Sequence, residues 1–179
     1  MDDDGTSAYA WPAGDRLVRE LGVVVRCAGA SVCDLGCGRG ALGLAALSAG
    51  ARSVAFADLN ASALALARQQ VTERGYAARA TFHHHRWGSA IPGTPYEIIL
   101  GGDILYRPEC FADLMTTIRA SLAANGCCVL SDPRTRLEED LPLLAAGRGL
   151  SWNRTRRGDL TVITLTATVS GDPSQSVLP

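Results

Sequence analysis

Ser31-Val32-Cys33-Asp34-Leu35-Gly36-Cys37-Gly38-Arg39-Gly40 is the stretch from which the rest of the chain can be read. Ser31–Cys33 reads as the end of a short buried strand, closed by Asp34. Gly36, Gly38 and Gly40 make a turn without side chains, and Ala41–Leu47 starts a helix. A glycine turn between strand and helix lets a ligand lie against bare backbone, with helix N–H groups pointing at it. The run Gly36-Cys37-Gly38-Arg39-Gly40-Ala41 also satisfies the dinucleotide-binding pattern with alanine in the last place.

Asp34 separates the ligands such a turn serves. A carboxylate two residues before the first glycine lies near the bound group. Beside a pyrophosphate that means like charges in a partly desolvated pocket, which costs free energy; beside an ammonium the same charge is favourable. S-adenosylmethionine has no phosphate and carries an ammonium at its methionyl end, so D-x-G-x-G-x-G fits it better than NAD. On these residues the chain resembles the class I, seven-stranded S-adenosylmethionine-dependent methyltransferases, whose first motif looks like VLDLGCGxG.

At 179 residues, 47% hydrophobic and with a mean hydropathy of +0.09, the composition is that of one compact domain. No apolar run reaches membrane-spanning length, and Met1-Asp2-Asp3-Asp4 is the opposite of a basic signal-peptide start, so a cytoplasmic protein is expected. A net charge of −1 gives no global field to hold nucleic acid. All 17 basic residues are arginines; the chain has no lysine. Cys27, Cys33, Cys37, Cys110, Cys127 and Cys128 form no C-x-x-C pair and read as free thiols in a reducing compartment.

In chain order, residues 1–10 and 170–179 read as disordered tails around a domain spanning 11–169. Trp11-Pro12 opens a helix with Leu17, Val18, Leu21, Val24 and Val25 on one face; Trp11 either staples that helix to the core or caps the cofactor pocket. Ser53–Ala57 is a second buried strand ending in Asp58. An acid at that tip, about twenty residues after the first glycine, is placed to accept both ribose hydroxyls, or else serves the following helix. Asn60 caps a helix over 61–75.

Ala78–Arg86 reads as a third strand. His83 and His85 share a face, but no cysteine or carboxylate lies nearby in sequence to complete a metal site, so solvated imidazoles at a strand edge are expected. Trp87, at that strand's end, forms a wall for adenine or covers core. Tyr96–Leu100 is a fourth strand, and Gly101-Gly102-Asp103-Ile104-Leu105-Tyr106 leaves its carboxyl end, where Asp103 and Tyr106 could face a reacting amine. A helix over 108–124, ended by Asn125-Gly126, leads into a fifth strand at 127–130 and then Ser131-Asp132-Pro133-Arg134. A short helix over 136–146 and two strands, 150–156 and 160–168, complete the chain. Arg154, Arg156 and Arg157 read as a solvated edge strand.

The predicted fold is α/β: a Rossmann-like seven-stranded, mostly parallel sheet with helices on both faces and a C-terminal antiparallel hairpin. Trp11-Pro12-Ala13-Gly14, Trp87-Gly88 and Asp103-Ile104-Leu105-Tyr106 resemble segments of the family 16 protein lysine methyltransferases, marked by D-x-x-Y after the fourth strand. WPAG, GGDILY and SDPR together look most like the branch acting on the β subunit of electron-transfer flavoprotein, which carries WPGG, GD-x-x-Y and GDPGR. The second glycine of GDPGR is missing here.

The cofactor implied is S-adenosyl-L-methionine, with Trp11, Asp34, Gly36, Cys37, Gly38, Asp58, Leu59, Trp87 and Asp103 as binding residues. Asp103 and Tyr106 are the catalytic pair, positioning an amine rather than acting as a strong base. The expected partner is a protein substrate, with no nucleic acid, membrane or metal. Two other readings stand: a small-molecule N- or O-methyltransferase, and a catalytically idle nucleoside-binding module.

Overall fold

The computed structural model describes residues 12–133 and 140–168. Seven strands form one sheet: β1 (Ser31–Leu35), β2 (Ser53–Asp58), β3 (Ala80–His84), β4 (Tyr96–Gly102), β5 (Leu122–Ser131), β6 (Leu150–Arg157) and β7 (Leu160–Ala167). Their spatial order is β3-β2-β1-β4-β5-β7-β6. The first five run parallel, and β7 is antiparallel to both β5 and β6. The expected architecture is therefore the observed one.

Alternation along the strands decides what each face holds. Val32, Val54, Phe56, Ile98, Leu100 and Val129 turn to the face covered by α1 (Pro12–Val24), α2 (Ala41–Ser48) and α3 (Ala61–Glu73). Cys33, Ala55, Ala57, Ile99, Cys128 and Leu130 turn to the face covered by α4 (Phe111–Ser121) and α5 (Asp140–Ala146). α2 is apolar almost all round because it is buried almost all round. Asn60 caps α3, its Oδ1 accepting from the amides of Ser62 and Ala63. The closing hairpin is tied to α1 by ion pairs: Arg157 and Arg16 both meet Glu20, and Arg16 meets Asp159.

β4 runs on through Gly101 and Gly102, and the boundaries of α4, β5 and β3 also differ from the sequence reading. α4 stops at Ser121, and Leu122 already pairs with Tyr96 at the start of β5, across a bulge that puts Cys127 beside Ile98. A Cβ on Gly126 would lie 2.9 Å from the Glu97 carbonyl, so this glycine allows strand backbones to touch rather than ending a helix. β3 is shorter than expected, and His85 lies just past it, buried rather than solvated. The chain after it folds back onto α4, where the buried hydroxyls of Thr117 and Ser121 accept the Gly88 and Ile91 amides at 2.8 Å and 2.9 Å. The expected tails at 1–10 and 170–179 lie outside the described residues, as does Trp11.

Candidate active site

Strand order reverses between β1 and β4, and ligands of open α/β sheets bind outside the carboxyl ends of strands at such a reversal. The glycine turn leaves β1 at that point. Gly36, Gly38 and Gly40 have φ of 65°, 48° and 82°, the left-handed region that side chains disfavour. The turn is pinned to β2, because the Gly36 and Cys37 amides both donate to the Ala57 carbonyl, at 2.8 Å and 3.1 Å. It also leaves no room for a side chain: a Cβ on Gly36 would lie 2.7 Å from Ile104 Cγ2.

Three carboxylates border this crevice, and each holds backbone. Asp34, at 1% exposure, accepts the Gly43 amide on Oδ2 at 2.8 Å. Gly43 is the third residue of α2, where helix amides have no carbonyl of their own to meet. Asp58 accepts the Gly38 amide on Oδ2 and the Asn60 amide on Oδ1, both at 2.8 Å. Asp103 accepts the Gly14 amide of α1 on Oδ2 at 2.6 Å. These contacts fix the carboxylates against the backbone that shapes the crevice.

Burial pushes the Asp34 carboxyl up to about 8; the Gly43 N–H opposes this and the Asp58 charge adds to it. A group so placed gains from a cation beside it. Burial also raises the Cys37 thiol, followed by the charges of Asp34 and Asp58, so Cys37 stays a neutral thiol in the turn wall.

The predicted site residues thus gather unevenly. Gly36, Cys37 and Gly38 are tied by hydrogen bonds to Ala57 and Asp58 at the end of β2, Asp34 at the end of β1 is bonded to Gly43 of α2, and Leu59 lies exposed just beyond. Asp103 stands at the end of β4, the one residue other than glycine with a positive φ (56°) among the described residues. Such backbone persists only where surroundings over-determine it, and clusters at functional sites. Tyr106, 41% exposed, carries the Arg107 guanidinium 5.4 Å from its ring centroid. Trp87 lies farther along the edge, half-buried against the core under α4.

Four contacts went unread in the sequence, although Gly14 and Ser131 lie in the WPAG and SDPR segments singled out there. Gly14 and Ser131 meet Asp103 from α1 and β5, and Thr117 and Ser121 hold the Trp87 loop. All of these contacts join distant segments, so no local spacing announces them. Among the described residues there is no group of three or more histidines, cysteines or acids that could hold a metal. Nor is any described helix long and apolar enough to cross a membrane.

Comparison with known proteins bears on the chemistry. A family model described as lysine methyltransferase matches residues 5–145. Protein N-lysine methyltransferase METTL21A of Mus musculus is 29% identical over 147 residues, covering 76% of this chain and 64% of that protein. The chain therefore spans under two thirds of that relative's length. Among solved structures, a ribosomal protein L11 methylase from Lactobacillus delbrueckii subsp. bulgaricus superposes with a TM-score of 0.75 at 16% identity, covering 90% of this chain and 81% of that one. Magnesium protoporphyrin IX methyltransferase from Synechocystis PCC 6803, with bound S-adenosylmethionine, superposes with a TM-score of 0.67 at 23% identity, covering 87% and 78%. At these identities the likeness is one of fold.

Proposed function

The chain belongs to the lysine methyltransferase family, and we propose that it transfers a methyl group from S-adenosyl-L-methionine to the side-chain amine of a lysine in a protein partner. The family match over residues 5–145 carries this reading, and the name of the mouse relative agrees with it. The crevice fits the cofactor on its own terms: a bare glycine turn with no room for side chains, and a buried carboxyl that gains from a cation.

When bound, S-adenosyl-L-methionine supplies a methyl group on a cationic sulfur, open to in-line attack by a neutral amine. Asp34, Gly36, Cys37 and Gly38 hold the methionyl end. Asp58 and Leu59 hold the ribose, and Trp87 the adenine. Asp103 and Tyr106 orient the incoming amine by hydrogen bonds and exclude water from it. No covalent nucleophile is needed. Because the amine must arrive neutral, its proton leaves to solvent before attack.

Among protein acceptors, the β subunit of electron-transfer flavoprotein is the first to try, on the likeness of WPAG, GGDILY and SDPR. Six unpaired cysteines fit a reducing compartment, and we place the protein in the cytoplasm. The direct test incubates the protein with methyl-labelled S-adenosyl-L-methionine and either that subunit or an unmethylated cell extract, beside an Asp34→Ala control. Acid-precipitable label in a discrete band, lost in the control, is expected. Label confined to small soluble molecules would sink the protein-acceptor reading in favour of a small-molecule methyltransferase.

A further inference from the structure

The first turn of α1 and the end of β4 meet with no side chain between them. A Cβ on Gly102 would lie 2.7 Å from the Gly14 Cα, so the two backbones touch beside the crossover. Three hydrogen bonds close a ring around that contact. The Gly14 amide donates to Asp103 Oδ2 at 2.6 Å. The Asp103 amide donates to the Ser131 carbonyl at 2.8 Å. The Ser131 hydroxyl donates to the Ala13 carbonyl at 3.1 Å. Ser131 is fully buried at the last position of β5, on the strand face that the neighbouring Val129 fills with apolar side chain. A hydroxyl there costs free energy to bury unless it is hydrogen-bonded, and its partner is α1.

We propose that Ser131 is a positioning residue for methyl transfer: its carbonyl on the Asp103 amide and its hydroxyl on the Ala13 carbonyl make the start of α1 and the Asp103 carboxylate one rigid wall of the site. This rests on reading the chain as a methyltransferase. Asp103 holds a left-handed φ that relaxes once its surroundings loosen. Without the hydroxyl, the first turn of α1 is released, the Gly14 N–H drifts from Asp103, and the carboxylate loses its aim at the amine. Of the groups assigned to the cofactor, Asp103 belongs to this ring, while Asp34 and Asp58 at the ends of β1 and β2 hold the amides of Gly43, Gly38 and Asn60. Misaim therefore acts on turnover far more than on cofactor affinity.

Two variants at one position separate the hydroxyl from the rest of the fold: Ser131→Ala removes it, and Ser131→Thr keeps one. Ser131→Ala is expected to lower kcat about tenfold and leave the Kd for S-adenosyl-L-homocysteine within about threefold, with Ser131→Thr recovering part of the lost kcat. Ser131→Ala should also speed amide hydrogen exchange in the first turn of α1 but not the last. Wild-type kcat in Ser131→Ala would overturn the proposal. So would losses that vanish when the assay runs well below the variant's Tm, which mark a role in fold stability alone. A wild-type protein that moves no methyl group would instead defeat the functional reading itself. Unchanged exchange in Ser131→Ala would separately defeat the ring.

Discussion

Asp34 concentrates the electrostatics of the site. Its carboxyl, pushed up to about 8 by burial, lies above its value in an unfolded chain, near 3.8. Its stabilising contribution is therefore full below about pH 4 and is lost as pH rises toward about 8. A bound ammonium reverses that loss by favouring the ionised form. Ligand-free protein should lose Tm between about pH 5 and pH 8 more steeply than Asp34→Asn, and S-adenosyl-L-homocysteine should restore it increasingly toward pH 8 in the wild type only. Parallel pH profiles for the two proteins, with and without ligand, would contradict this. His85 has the opposite sign. Its Nε2 is buried with no hydrogen-bond partner among the described residues, and burial holds the imidazole below its usual value, against the Ser89 backbone hydrogen bond and with the His83 charge adding to it. Stability from the neutral ring is present above about pH 6.5 and lost as pH falls through the lowered folded value. His85→Leu should raise stability by about 1 kcal/mol at neutral pH, and by more in acid, in urea denaturation. With no cysteine or carboxylate nearby in sequence, solvated imidazoles at a strand edge were expected; His85 is instead buried just past the end of β3, which local spacing does not announce.

At the scale of elements, the helices and the glycine turn were legible because their signals are local: a cap at Asn60, a strand closed by Asp34, three spaced glycines. What lies between elements was not. Gly43 looks like an ordinary small residue in an alanine-rich helix, yet a Cβ there would lie 2.3 Å from Phe56 Cε1. Phe56 is fully buried and stacked on Phe82 with centroids 5.1 Å apart, so it has little freedom to yield. Gly43→Ala should therefore destabilise by about 1–3 kcal/mol despite alanine's better helix propensity, and Phe56→Leu in the same chain should recover part of the loss. Chemical denaturation of the two variants decides the matter. A Gly43→Ala protein as stable as wild type would show that α2 shifts freely on the sheet. The boundary of α4 was missed for a similar reason, because the bulge that starts β5 at Leu122 exists only in pairing with β4.

For the molecule as a whole, the class of chemistry could be read from short segments at strand ends, since a parallel sheet brings successive strand ends to one edge. The ring joining α1, β4 and β5 could not, because its members lie up to 118 residues apart. The acceptor is the most distant inference, resting on family membership and on a crevice built for a cationic cofactor. Absence of lysine throughout the chain gives it a clean test, for any methyllysine formed belongs to another protein. The measurement to make is acid hydrolysis of the band labelled from methyl-labelled S-adenosyl-L-methionine, followed by identification of the labelled amino acid. Label recovered as methyllysine, and absent with Asp34→Ala, is the predicted result. Label recovered on any other amino acid, with lysine unmodified, would contradict the account.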